Sequence, residues 1–122
     1  MILDIPDIDI KPYVRMTRKG MWVSEQAQEY LASKGTLSSK IKEQMNLQGI
    51  DILPAKTPLK ISITVYVHTS QGHRADVDNI GKAVLDSCNG IVYPDDRWVD
   101  VLDIKRIIGN DRHLCLCVEP LE

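Results

Sequence analysis

From Leu59 to Val67 every second residue is apolar: Leu59, Ile61, Ile63, Val65 and Val67 alternate with Lys60, Ser62, Thr64 and Tyr66. Side chains of a strand point to opposite faces in turn, so this pattern predicts a strand over 59–68 with one face in a core. Elsewhere the apolar spacing lengthens. Ser24 is a favoured helix N-cap, and SEQAQEYLASK sets Ala27, Tyr30 and Leu31 on one side of a helix. Gly35 predicts a break, with a second helical piece from Leu37 to Leu47. A further helix is predicted from Val77 to Ser87, burying Ile80, Ala83 and Val84. It ends at Asn89-Gly90, residues that tolerate the left-handed backbone conformation. A first strand is expected around Ile8 to Met16, interrupted near Pro12, followed by a turn at 17–20. Trp98 to Ile108 reads as a strand, Gly109-Asn110-Asp111 as a hairpin turn, and His113 to Val118 as the returning strand. Without repeats or a boundary, the pattern predicts one α+β domain over residues 1–122. Its mixed sheet is packed by two or three helices.

Composition narrows the class. A chain of 122 residues with 43% hydrophobic and 26% charged residues buries a real core without staples. No apolar run is long enough for a membrane span, and MILDIPDIDI lacks the basic and apolar regions of a signal peptide. The expectation is a cytoplasmic protein with no membrane partner. Cys88, Cys115 and Cys117 are an odd number, so they read as small core residues rather than a disulfide framework. His113, Cys115 and Cys117 alternate along one strand face, which is not the turn spacing of a zinc knuckle.

The net charge of −2 gives no general signature of nucleic-acid binding, but the charge is unevenly spread. Lys11, Arg15, Arg18, Lys19, Lys34, Lys40 and Lys42 face only Glu25 and Glu29 within 11–42, while acids gather at 1–10 and 76–103. A basic arm beside an acidic centre suits a polyanion held over a metal, and equally a solvated surface.

The acidic centre carries the sharpest pattern. Asp76 and Asp78 stand at the mouth of a predicted helix, Lys82 follows Asp78 by one helical turn, and Asp95 and Asp96 sit in a later turn. The free N–H groups of a first helical turn stabilise negative charge, and Lys82 is spaced to reach back to Asp78. If the 95–96 turn folds over the helix start, three or four carboxylates converge. Mg²⁺ takes oxygen ligands of that kind and completes its shell with water and phosphate. The plain alternative is an Asp cap followed by an Asp turn, both common.

The stretch HRADVDNIGKAVLDSCNGIVYPDDRWVDVLDIKR, residues 73–106, resembles the core of RusA-type Holliday junction resolvases, small endodeoxyribonucleases of bacteria and their prophages. The resemblance extends more loosely to the basic loop RMTRKG and the helix opening SEQAQEY. It implies an active site of Asp76, Asp78, Lys82, Asp95 and Asp96, with the four aspartates as ligands of Mg²⁺ or Mn²⁺. It also implies a homodimer that binds four-way junction DNA and cuts two strands symmetrically, in recombination and repair. Arg15, Arg18, Lys19 and Arg74 are the candidate phosphate contacts, with His73 beside them. Two rival readings remain: a branched-DNA binder without catalysis, and a structural protein whose acidic cluster binds a stabilising cation.

Overall fold

The computed structural model describes residues 1–14, 25–70 and 76–121. The elements, in order, are β1 (Ile2–Pro6), α1 (Glu25–Gln48), β2 (Leu59–His68), α2 (Val77–Cys88), a 3₁₀ turn (Asp96–Trp98), β3 (Val99–Gly109) and β4 (His113–Pro120). They make the expected α+β domain: one four-stranded mixed sheet, in the order β1-β4-β2-β3, with two helices.

The alternation of β2 is realised as expected. Leu59, Ile61, Ile63 and Val65 are buried. β4 adds Leu114, Leu116 and Val118 to the same face, and β1 adds Leu3 and Ile5. Leu116 pairs with Leu3 on one side and Ile63 on the other, so the three lie in one row across the sheet. Both helices contribute to the same core, α1 through Leu37, Ile41 and Met45 and α2 through Ile80, Val84 and Cys88. The opposite sheet face carries Tyr66 stacked on His113, with ring centroids 4.1 Å apart.

Five expectations need correction. The first strand lies at Ile2–Pro6, and residues 8–14 form none, because Leu3 and Ile5 supply the inward alternation; positions 15 and 16 of the expected strand lie outside the described residues. It stops where Pro6 lacks a donor and Asp7 takes φ 50°, a conformation Asp tolerates better than most residues. α1 is continuous through Gly35. Its buried stripe of Ala27, Tyr30, Leu37, Ile41 and Met45 runs across that position and outweighs the ~1 kcal/mol cost of one interior glycine. Leu31, by contrast, lies off the stripe and is exposed. The helix ends instead at Gly49, φ 67°, where Gly49 N–H donates to Asn46 O and Ile50 N–H to Met45 O, a Schellman closure. At the end of α2 only Gly90 is left-handed, at φ 77°, whereas Asn89 is extended.

The hairpin is the fourth correction. β3 and β4 do not pair: β3 runs parallel to β2, and β4 lies antiparallel between β1 and β2. The physical reason is burial. Leu114, Leu116 and Val118 belong in the middle of a sheet, whereas β3 presents Val101, Leu102, Ile107 and Ile108 partly to solvent and takes the edge. Fifth, Cys115 and Cys117 are half-buried on the face of β4 away from the core, and Cys88 alone is the core cysteine.

α2 crosses from β2 to β3 over the core face. A side chain at Gly81 would collide with Cδ1 of Ile104 on β3, so glycine allows helix and strand to approach. Truncating Leu116, which is fully buried at the sheet centre, removes packing from both neighbouring strands. The variant Leu116→Ala is expected to lose about 2–5 kcal/mol of stability. Urea unfolding should show a lower midpoint with an unchanged slope.

Candidate active site

Asp76 is the N-cap residue of α2, with φ −63° and ψ 136°, yet its side chain makes no capping hydrogen bond. The plain reading of this carboxylate as a cap therefore fails, although its backbone carbonyl accepts from Ile80 N–H at 3.2 Å. Asp78 lies in the first turn and accepts from the backbone N–H of Asn79 at 3.0 Å. Both residues are exposed.

Lys82 does not pair with Asp78 as its spacing predicts; its Nζ sits over the ring of Tyr13, 3.9 Å from the centroid. At an exposed site such a contact is worth roughly 0.5–1 kcal/mol. Tyr13 is itself held in place. Its backbone N–H donates to Asn79 O at 3.0 Å, and its ring meets Tyr30 edge-on at 5.6 Å. The Tyr30 hydroxyl then donates to Asp86 Oδ2 at 2.8 Å. Burial, and then the bond to Asp86, push the Tyr30 phenol well above its ordinary range, so it stays a donor. Lysine, two tyrosines and an aspartate thus run down one side of α2. Asp86 was not among the expected site residues, but the sequence does carry its signal. Asp78, Lys82 and Asp86 recur every four residues and share one helix face.

Asp95 and Asp96 have different environments. Asp95 caps the 3₁₀ turn by accepting from Arg97 N–H at 3.0 Å, and it pairs with the Arg97 guanidinium at 3.4 Å. The backbone bond from Arg97 is the main cause that holds Asp95 below the usual carboxylate range. Asp96 is pushed up, first by burial, then by its hydrogen bond to Asp95 and the charges of Asp95 and Asp86, while the Asn89 amide opposes the shift. Beneath the turn, fully buried Tyr93 donates to Leu85 O at 2.9 Å.

These contacts place the second acidic pair at the C-terminal end of α2, beside Asp86 and Asn89. Asp76 and Asp78 stand at its N-terminal end. The ten residues from Asp76 to Asp86 span about 15 Å of helix. The four aspartates therefore do not converge in one chain, contrary to the expectation that the turn folds over the helix start. No group of three or more metal-ligating side chains forms among the described residues. Arg15, Arg18, Lys19, His73 and Arg74 lie outside the described residues.

Because the charge and hydrogen bond of Asp95 help to raise Asp96, the variant Asp95→Asn should bring the Asp96 midpoint down toward the ordinary carboxylate value. Burial remains, so the return should be partial. Carboxyl ¹³C NMR titration of the metal-free protein reads the shift directly, and an unmoved midpoint would assign it to burial and the Asp86 charge.

A family model described as Endodeoxyribonuclease RusA matches residues 7–118. No curated protein matches the sequence. No helix among the described residues is long and apolar enough to cross a membrane.

Proposed function

The chain belongs to the RusA family of endodeoxyribonucleases, which are Holliday junction resolvases, and from that premise we propose a metal-dependent homodimer that cuts four-way junctions by paired symmetric incisions. The supporting observation is the placement of the two acidic pairs at opposite ends of α2. In a two-fold pair with antiparallel α2 helices, Asp76 and Asp78 of one chain meet Asp95 and Asp96 of the other. Two such sites arise together, one for each strand to be cut.

The donor set fits Mg²⁺ or Mn²⁺: hard carboxylate oxygens, with Asp76 released from capping and Asp95 held ionised by Arg97. A bound divalent ion would supply an activated water and charge stabilisation at the scissile phosphate. The chain's own residues do the rest. Lys82, steadied over Tyr13, presents its ammonium to charge that develops on the phosphoryl group or the departing oxygen. Water attacks phosphorus, the bond to the 3′ oxygen breaks, and that oxygen leaves with a proton. The products are a 5′-phosphate and a 3′-hydroxyl. Arg15, Arg18, Lys19, His73 and Arg74 hold the phosphates on either side.

In this reading Asp78→Asn and Asp96→Asn each lower junction cleavage on the order of 100-fold or more, while junction binding persists. Mixing the two variants supplies one intact site per mixed dimer. The mixture should nick one strand of a labelled four-way junction with Mg²⁺, without the paired second cut. Independent sites within each chain would leave the mixture as inactive as its components. Tight junction binding by a parent protein that never cuts would instead establish a non-catalytic branched-DNA binder.

A further inference from the structure

The Nζ of Lys82 lies 3.9 Å from the centroid of the Tyr13 ring. The face of an aromatic ring is negative and its edge positive, so an ammonium above the face is drawn to the π-system and has no need of the hydroxyl. We propose that Tyr13 is a positioning residue for strand cleavage: its aromatic face sets where the Lys82 ammonium stands relative to the scissile phosphate. The inference rests on the nuclease reading above and adds to it a residue from outside the acidic motif.

The ring can act in this way because it is fixed against the helix that carries the lysine. Tyr13 N–H donates to the carbonyl of Asn79, three residues before Lys82, at 3.0 Å. The Tyr30 ring meets Tyr13 edge-on, the two planes 80° apart. Tyr30 is buried on α1 and donates its hydroxyl proton to Asp86, four residues after Lys82. Asn79, Lys82 and Asp86 follow the three- and four-residue spacing of one helix side. The set of contacts thus begins and ends on α2, with the lysine between its two anchors. The segment that leads to Tyr13 is tied down as well. Ser33 Oγ on α1 accepts from Lys11 N–H at 3.2 Å and donates to Asp9 O at 3.4 Å.

A ring face differs from a carboxylate in what it leaves behind. It restricts a side chain that has four rotatable bonds, and the positive charge stays unneutralised. Misplacing a group at a reacting centre by about 1 Å can cost on the order of 100-fold in rate. Steering of this kind belongs in the cleavage rate and not in junction affinity. Tyr13→Phe keeps the face, whereas Tyr13→Leu keeps an apolar side chain without one.

Two readouts test the role. In the metal-free protein the ε-methylene protons of Lys82 should resonate upfield of an ordinary lysine, because protons above a ring face are shielded. Tyr13→Phe should keep that shift and Tyr13→Leu abolish it. In single-turnover cleavage of a labelled four-way junction with Mg²⁺, Tyr13→Leu should lower the rate about 5-fold or more at unchanged junction affinity, and Tyr13→Phe should recover most of the loss. In a Lys82→Ala background Tyr13→Leu should cost nothing further, as expected of a residue that acts only through the lysine. A parent whose Lys82 protons are unshifted would overturn the proposal, whether or not the leucine variant folds. Equal cutting by Tyr13→Leu and the parent, equal losses in the phenylalanine and leucine variants, or the same loss with and without Lys82 would each overturn it and leave the nuclease reading intact. A parent that shows the shift and binds junctions without cutting them would overturn the nuclease reading and the positioning role with it.

Discussion

Two neighbouring strands that run parallel cannot be joined by a tight turn; the chain must travel the length of the sheet to start again at the same end. β2 and β3 are such a pair, and α2 is the return path. Its 12 residues therefore fix the distance between the segment that follows β2 and the segment that precedes β3. Each carries one acidic pair. Their separation is a property of the parallel pairing itself, and no rotamer change within one chain removes it. Gly81 keeps the return path close by letting the helix lie against Ile104.

The side of α2 that carries Asp78, Lys82 and Asp86 is organised by aromatic residues from other parts of the chain. Tyr30 comes from α1 and Tyr13 from the segment before it, and together they link Asp86 to Lys82. A lysine ordinarily sweeps a wide volume on four rotatable bonds, with a large entropy to lose when it is fixed. Placing its ammonium over a held ring restricts that volume without neutralising the charge. An ion pair with Asp78 would instead have tied up the carboxylate that the proposed chemistry needs. The core of the domain and the geometry of its polar side are thus joined through Tyr30, whose ring is buried while its hydroxyl holds Asp86.

Much of this was legible in the sequence because the relevant signals are local. The alternation of 59–68 gave β2, and the spacing of Ile80, Ala83 and Val84 gave the buried face of α2. What failed was non-local. A Gly-Asn-Asp turn between two strands looks like a hairpin, but strand order is decided by which strand has more to bury, and β4 outcompetes β3 for the place beside β2. Gly35 looks like a stop only if the stripe that crosses it is overlooked. The acidic residues were legible as chemistry and not as geometry. Closeness in sequence suggested convergence, and the intervening helix forbids it. Asp86 escaped notice because it lies outside the short motif, although helical periodicity places it on the same face.

A site divided between chains has a consequence that a self-contained one lacks. One chain carries its two acidic pairs at opposite ends of α2, about 15 Å apart. Carboxylates so separated repel one another only weakly within one chain. In the proposed dimer, assembly would gather like charges and raise the local demand for a counter-cation, so that dimer formation and divalent binding would favour each other by linkage. In the proposed reading chemistry is coupled to assembly: one chain keeps its two acidic pairs at opposite ends of α2, and a two-fold pair would bring carboxylates and lysine together twice.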